Sequence, residues 1–253
     1  MKVAVLVKQT PQLSEVTMGG DGPAWPDGSE VVNPFDEYAV EEAIRIKENH
    51  NATAIAISYG GESAVSALRD VLALGIDEAY HVVSDSYSTT DPLNIARVLA
   101  ACVKKIGDVD LVLTGKQACD DDSAMVAFSV AAFLDWPQIG FVKKFDEVGD
   151  SKVVARRTTD AGYDIIETPL PAVCSVVKEI NEPRLPSLKG KMKAKKAEIQ
   201  KYILADLGIE HDKTIDIKKV QAPAERKQGE ILQGEPDEVV ASLVEKLKAD
   251  QLI

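Results

Sequence analysis

Residues 114 to 123 read T-G-K-Q-A-C-D-D-D-S and follow the apolar run V-D-L-V-L. Three successive carboxylates at the point where a strand gives way to a helix could cap that helix or bind Mg2+. They could also accept hydrogen bonds from ribose hydroxyls or an adenine amino group. In open parallel sheets ligands gather at the carboxyl ends of strands, beside helix N-termini whose unpaired N–H groups and dipole favour anions. A phosphate at this place would meet Ser123 and the backbone N–H groups of residues 123 to 128. The G-K pair is not a P-loop, because Gln117 follows Lys116 and no second glycine precedes it. Carboxylates repel phosphate unless a cation intervenes, so the aspartates have some other task than holding one. A solvated acidic cap explains the motif alone equally well.

Two further stretches carry residue types suited to recognition. N-P-F-D at 33 to 36 is a loop-to-helix signal, with Pro34 or Phe35 in the first turn. Phe35 is either a packing plug or a surface for a flat ring of a cofactor or partner. R-L-P-S-L-K-G-K-M-K-A-K-K at 184 to 196 is the sharpest charge asymmetry in the chain. A solvated charge run is the plain reading, but leucines and Met192 interleave the lysines, as in a contact segment with an apolar anchor and a charged rim. His50, His81 and His211 are isolated, so neither a hydrolytic triad nor a paired-histidine metal site emerges. Cys102, Cys119 and Cys174 are widely spaced without C-x-x-C, which indicates structural thiols in a reducing compartment.

The elements that must position these residues alternate. Strand-length runs at 3 to 7, 53 to 58, 79 to 83 and 111 to 114 are separated by helical patterns at about 35 to 48, 63 to 74, 93 to 105 and 123 to 134. This is the α/β pattern of a parallel sheet covered by helices on both faces. In the first helix Ala39, Val40, Ala43, Ile44 and Ile46 form the apolar face. After Trp136-Pro137 the runs at 139 to 142, 152 to 156, 164 to 167 and 172 to 176 are expected to add antiparallel or edge strands. From Asn181 onward come Pro183, Pro186, the lysine run, a polar stretch at 221 to 236 and a short amphipathic helix at 237 to 247. That tail cannot form its own core, and Leu243, Leu247 and Leu252 favour an arm packed on another subunit. The division is an α/β domain over 1–183 and a docking loop with C-terminal arm over 184–253.

Composition limits the function classes. The 253 residues carry 29 basic and 41 acidic side chains, a net charge of -12, which disfavours nucleic acid or an anionic membrane as a general partner. M-K-V-A-V-L-V-K-Q has the length of a strand and not the form of a signal peptide, and no run reaches the roughly 18 apolar residues of a span. A cytoplasmic location with no membrane insertion is the expectation.

Six landmarks occur in order: V-L-V-K at 5 to 8, N-P-F-D-E-Y-A-V-E-E-A at 33 to 43, T-G-K-Q-A-C-D-D-D at 114 to 122, F-L-D-W-P-Q at 133 to 138, L-P-A-V at 170 to 173, and N-E-P-R-L-P-S-L-K-G-K-M-K-A-K-K at 181 to 196. With them the chain resembles the beta subunit of electron transfer flavoproteins over essentially its whole length. The resemblance implies an adenine-nucleotide-binding, Rossmann-like α/β fold and an obligate heterodimer with an alpha subunit that holds most of the FAD. It implies AMP in a structural role in this subunit and no catalysis of its own. Electrons would pass from acyl-CoA or related dehydrogenases to a quinone oxidoreductase or another acceptor. Carried over by position, the nucleotide would meet Leu6, Asn33, Pro34, Phe35, Asp36, Tyr59, Asp120, Asp121, Asp122, Ser123, Ala124, Met125, Val126, Ala127, Phe128, Ser129, Val130 and Ala131, with no metal. Phe35 would also face the partner's flavin. Arg184, Leu185, Leu188, Lys189, Lys191, Met192 and Lys193 would lie in the loop that docks on dehydrogenases, with Leu188 as anchor.

The chain departs from the family pattern in places. Val126-Ala127 stands where a threonine-glycine or valine-glycine pair is usual, which removes a glycine expected near phosphate. Ala161 and Asp164 differ from the usual residues, and Leu13 replaces an aromatic near the flavin. A bifurcating relative, with a second FAD in place of AMP and NADH as donor, is the alternative within the family. A stand-alone nucleotide-binding module or an Mg2+-dependent ATP hydrolase is the alternative from another class.

Overall fold

A computed structural model of the chain describes residues 1–20, 22–84, 91–210, 215, 217–222 and 229–253. His211 lies outside them. The chain begins with β1 (Lys2–Leu6), then runs through two small antiparallel ribbons, β2 (Gln9–Pro11) with β5 (Glu30–Val32) and β3 (Thr17–Gly19) with β4 (Gly22–Ala24). The α/β alternation follows: α1 (Pro34–His50), β6 (Thr53–Gly60), α2 (Val65–Leu74), β7 (Glu78–Val83), α3 (Pro92–Ile106), β8 (Leu111–Gly115) and α4 (Val126–Leu134). β9 (Gln138–Val148), β10 (Lys152–Thr159), β11 (Gly162–Pro169) and β12 (Ala172–Val176) come next. They are followed by α5 (Leu188–Lys196), β13 (Ile199–Ile203) and α6 (Pro236–Ala249).

Nine strands form one sheet in the order β11-β10-β9-β12-β8-β1-β6-β7-β13. All neighbours from β9 to β13 are parallel, and β10 and β11 extend the sheet antiparallel. The alternation of side chains along β1 shows how the layers form. Val3 and Val5 face a core closed by α1 and α2, while Ala4 and Leu6 face a second core closed by α3 and α4. The helices obey simple end rules. In α3, Asp91 accepts the Asn94 N–H at 3.1 Å, Pro92 occupies the first turn, lysines close the last turn and Gly107 takes φ 71°. Asn33 precedes α1 without capping it, because its side chain is engaged elsewhere.

Three expectations need correction. Ala172–Val176 is not an edge strand: all five residues are buried and it runs parallel between β8 and β9. Its shortness suggested an addition, whereas A-V-C-S-V is the small, apolar sequence of a strand covered on both faces. Gln138–Val148 likewise pairs parallel with β12 on one side and antiparallel with β10 on the other. The basic run contains the helix α5, which packs on α2, and the strand that follows it was not anticipated.

Candidate functional site

The carboxyl ends of β1 and β8 lie side by side, with Leu6 opposite Thr114. The first turn of α1 is stitched across both. Asp36 accepts the Lys8 N–H on Oδ2 at 2.8 Å and the Gly115 N–H on Oδ1 at 3.2 Å. A Cβ on Gly115 would stand 2.5 Å from the Phe35 carbonyl carbon, so only glycine permits this approach. Burial pushes the Asp36 carboxyl up to about 7, while its hydrogen bonds and the Lys8 charge act in the other direction. Asn33, also buried, donates from Nδ2 to the Gln117 carbonyl at 2.9 Å and accepts the Cys119 N–H at 3.1 Å. The N-P-F-D and T-G-K-Q-A-C motifs, about 80 residues apart in sequence, are thus bonded together.

The aspartates do not cap α4. That helix begins at Val126, and no side chain caps its start. Asp120 instead accepts Lys8 Nζ at 2.6 Å, and Asp121 lies 3.7 Å from the same ammonium. Asp121 also accepts the Ser123 N–H at 3.0 Å, and Asp122 turns outward to Gln117 Nε2. Among the described residues no three His, Cys, Asp or Glu side chains converge as a metal site requires. The turn is tight: Asp122 and Ala124 take φ 55° and 52°. The positions that call for glycine-like freedom are therefore these two and not Ala127, which is an ordinary buried helical residue.

Between these elements opens a cleft. Its floor is apolar, from Leu6, Ile95 and Leu99, with Tyr59 at the end of β6. Burial raises the Tyr59 phenol, with Ser84 and Asn94 acting in the other direction. The rim is polar: Lys8, Lys116, Asp121 and Ser123 line it, and the first residues of α4 close one side. The N–H groups of a helix's first turn have no intrahelical acceptor, so this side presents donors to the cleft.

Of the residues singled out from the sequence, Leu6, Asn33, Asp36, Tyr59, Asp121, Ser123, Ala124, Met125, Val126 and Ala127 line the cleft. Asp120 stands behind the wall on Lys8, and Asp122 is exposed. Pro34 is exposed at the start of α1, and Phe35 is half-buried with its carbonyl against Gly115. Phe128 to Ala131 continue along α4 away from the cleft wall. Val130 and Ala131 enter the core, and the Phe128 ring meets that of Phe141 edge-on at 5.9 Å. Lys8 and Lys116 were missed as lining residues. The signal existed in both cases, since each lysine belongs to a quoted motif and follows the carboxyl end of a strand.

The basic segment forms a second feature on the other face. Arg184 turns inward, donating from Nε to Glu41 at 2.8 Å and from Nη1 to Glu48 at 2.7 Å. Burial alone would raise Glu41, yet hydrogen bonds from Arg184 and Arg45 hold its carboxyl below the usual range. Beyond this pin Leu185, Leu188 and Met192 are exposed by 91%, 78% and 59%, with Lys189 and Lys193 beside the last two on one face of α5. Lys191 lies on a different side, where its charge acts on Asp70.

Residues 27–207 match the family model described as "Electron transfer flavoprotein domain". The chain belongs to the electron transfer flavoprotein beta-subunit family. "Electron transfer flavoprotein subunit beta" of Bacillus subtilis (strain 168) is 37% identical over 255 residues, covering 99% of this chain and 98% of the relative. The protein of that name from Bos taurus is 39% identical over 220 residues, 86% and 84% of the two chains. "Caffeyl-CoA reductase-Etf complex subunit CarD" of Acetobacterium woodii is 34% identical over 263 residues and covers both chains fully. Membership makes this an electron transfer protein of the flavin-dependent kind, and a beta subunit implies an alpha subunit. No helix among the described residues is long and apolar enough to cross a membrane.

Proposed function

We propose that the chain is the beta subunit of a heterodimeric electron transfer flavoprotein and holds AMP in the cleft as a structural nucleotide. The observation that carries this reading is the Lys8 ammonium between Asp120 and Asp121. It supplies the cation without which an acidic turn would repel a phosphate. The cleft joins an apolar floor to a polar rim, the pairing a mononucleotide requires. Ile95 and Leu99 offer apolar contact for a base, the Asp121 carboxylate can accept from ribose, and Ser123 with the α4 N–H groups can donate to phosphate.

The redox chemistry comes from FAD held mainly by the alpha subunit, and this chain has no catalysis of its own. Its residues orient the nucleotide, brace the subunit and present Leu188 and Met192 to the electron donor, an acyl-CoA or related dehydrogenase. Electrons leave to a quinone oxidoreductase or another acceptor. Such carriers work through small transient contacts, for which one apolar anchor in a lysine rim is suited. Residence in the reducing cytoplasm accords with the free thiols of Cys102, Cys119 and Cys174.

The test is to denature the purified heterodimer and quantify what it releases. One AMP and one FAD per dimer are expected. Two flavins and no AMP would replace this reading with the bifurcating one. Mg2+-dependent ATP hydrolysis by the chain alone would replace it with an enzyme.

A further inference from the structure

The helix α5 should not exist on the strength of its own sequence. It spans nine residues, L-K-G-K-M-K-A-K-K, of which five are lysines. Isolated helices shorter than about 12 residues are marginal in water. Lys189 with Lys193 and Lys191 with Lys195 repel one another at i,i+4, and Gly190 weakens the interior further. Only Ala194 is buried. Something outside the helix must hold it.

Its start has a local cap, since Ser187 Oγ accepts the Gly190 N–H at 3.0 Å. Its side is pressed on α2: a Cβ on Gly190 would stand 2.2 Å from the Ala73 carbonyl oxygen, so the two backbones meet there. Its end is closed by one side chain. Arg69, half-buried in the middle of α2, donates from Nη1 to the Ala194 carbonyl and to the Ala197 carbonyl at 2.6 Å. The last carbonyls of a helix have no intrahelical donor, and the negative end of its dipole favours a cation. A guanidinium satisfies both needs where the helix's own lysines face solvent.

We propose that Arg69 is the positioning residue of the docking surface. By closing the carboxyl end of α5 it keeps Leu188 and Met192 one turn apart on a preformed helical face, so the dehydrogenase meets an ordered anchor and not a mobile strand of lysines. This rests on the reading of α5 as the docking segment. Arg69 acts through α5 and lowers the ordering entropy lost on encounter.

The test uses the intact heterodimer, reduced by an acyl-CoA dehydrogenase with its acyl-CoA substrate, and compares Arg69→Met, Arg69→Lys and Leu188→Ala. Arg69→Met is expected to raise the KM for the dehydrogenase by about 5- to 10-fold with kcat within about 2-fold, since weaker encounter is lost uniform binding. Amide exchange over 190 to 196 should accelerate by at least about tenfold as α5 opens locally. Arg69→Lys, which keeps a cation and a donor, should restore part of both. Leu188→Ala should raise KM while leaving exchange as in the native protein. Native KM and exchange in Arg69→Met overturn the proposal, and so does fast exchange with native KM when Leu188→Ala does raise KM. If Leu188→Ala leaves KM unchanged, the docking reading falls instead, and the hold of Arg69 on α5 stands or falls by exchange alone. Should Arg69→Met fail to assemble, Arg69→Gln, which removes the charge at Ala194 and Ala197 and keeps a polar side chain, carries the same readouts.

Discussion

Lys8 is the residue on which the chemistry of the cleft turns. Its side chain and those of Asp120 and Asp121 are exposed by only 16%, 13% and 11%, so the cluster is poorly screened by water. Lys8→Met keeps the length of the side chain and removes the charge. Two carboxylates would then stand uncompensated beside the place proposed for a phosphate. Breaking one partner out of a partly buried pair costs about 2 kcal/mol, below the figure for fully buried pairs. The same loss at the ligand corresponds to more than about a tenfold fall in affinity. The expected outcome is a heterodimer that folds with a lower thermal midpoint and retains less than about a tenth of its AMP through gel filtration. Full retention would mean that the aspartates never needed Lys8 as a counter-ion. Quenching of their charge could not be foreseen from D-D-D alone, because the cation comes from a residue 112 positions earlier.

At the scale of elements, the site exists because α1 crosses the ends of β1 and β8 at backbone distance. Gly115 is where that crossing is tightest. Gly115→Ala would place a methyl 2.5 Å from the Phe35 carbonyl carbon and 2.6 Å from Asp36 Oδ1, both parts of rigid structure. Overpacking of this kind costs about 3 kcal/mol or more. It is expected to lower stability by that amount in denaturant titration and to weaken nucleotide retention together with it, because moving α1 also breaks both Asp36 bonds. A variant as stable as the native protein would show that α1 can shift without consequence. The same scale shows why parts of the architecture could be read from sequence and parts could not. The β1-to-α4 alternation was legible because each strand is bounded by turn residues and each helix carries a 3.6-residue stripe, as in Ala39, Val40, Ala43 and Ile44. β12 was misplaced because five apolar residues look alike in a central strand and in an edge strand, and its place depends on a crossover that the sequence does not mark. α5 was invisible because its helicity is imposed by Arg69 and Ala73 from another element. In the cleft, Asn33, Asp36 and Ser123 were legible as the polar members of motifs. Ile95 and Leu99 were not, since core and ligand-facing apolar residues share one stripe on α3.

On the scale of the whole molecule the chain is unfinished. Leu204, Leu207 and Ile209 still pack against the second core, but α6 has no buried residue. Val240 and Leu243 are exposed by 59% and 46%, and with Val244 and Leu247 they form one stripe along the helix. The helix is well made at its ends, with Pro236 in the first turn, Asp237 and Glu238 beside the positive pole, and Lys246 and Lys248 in the last turn. A helix so built, with Val240 and Leu243 open on its apolar stripe, is shaped to complete itself on another surface, and the alpha subunit is the one proposed. Burying what remains exposed of four such side chains is worth about 3 kcal/mol after ordering losses, a factor of roughly 150 in affinity. Removal of residues 236–253 is therefore expected to weaken the heterodimer by about two orders of magnitude while leaving the cleft, which lies wholly upstream, with its nucleotide. Subunit affinity by sedimentation and AMP content of the truncated chain check the two halves. Unchanged subunit affinity would remove the arm from the interface, and loss of AMP without loss of affinity would place its stripe on this chain's own α/β unit.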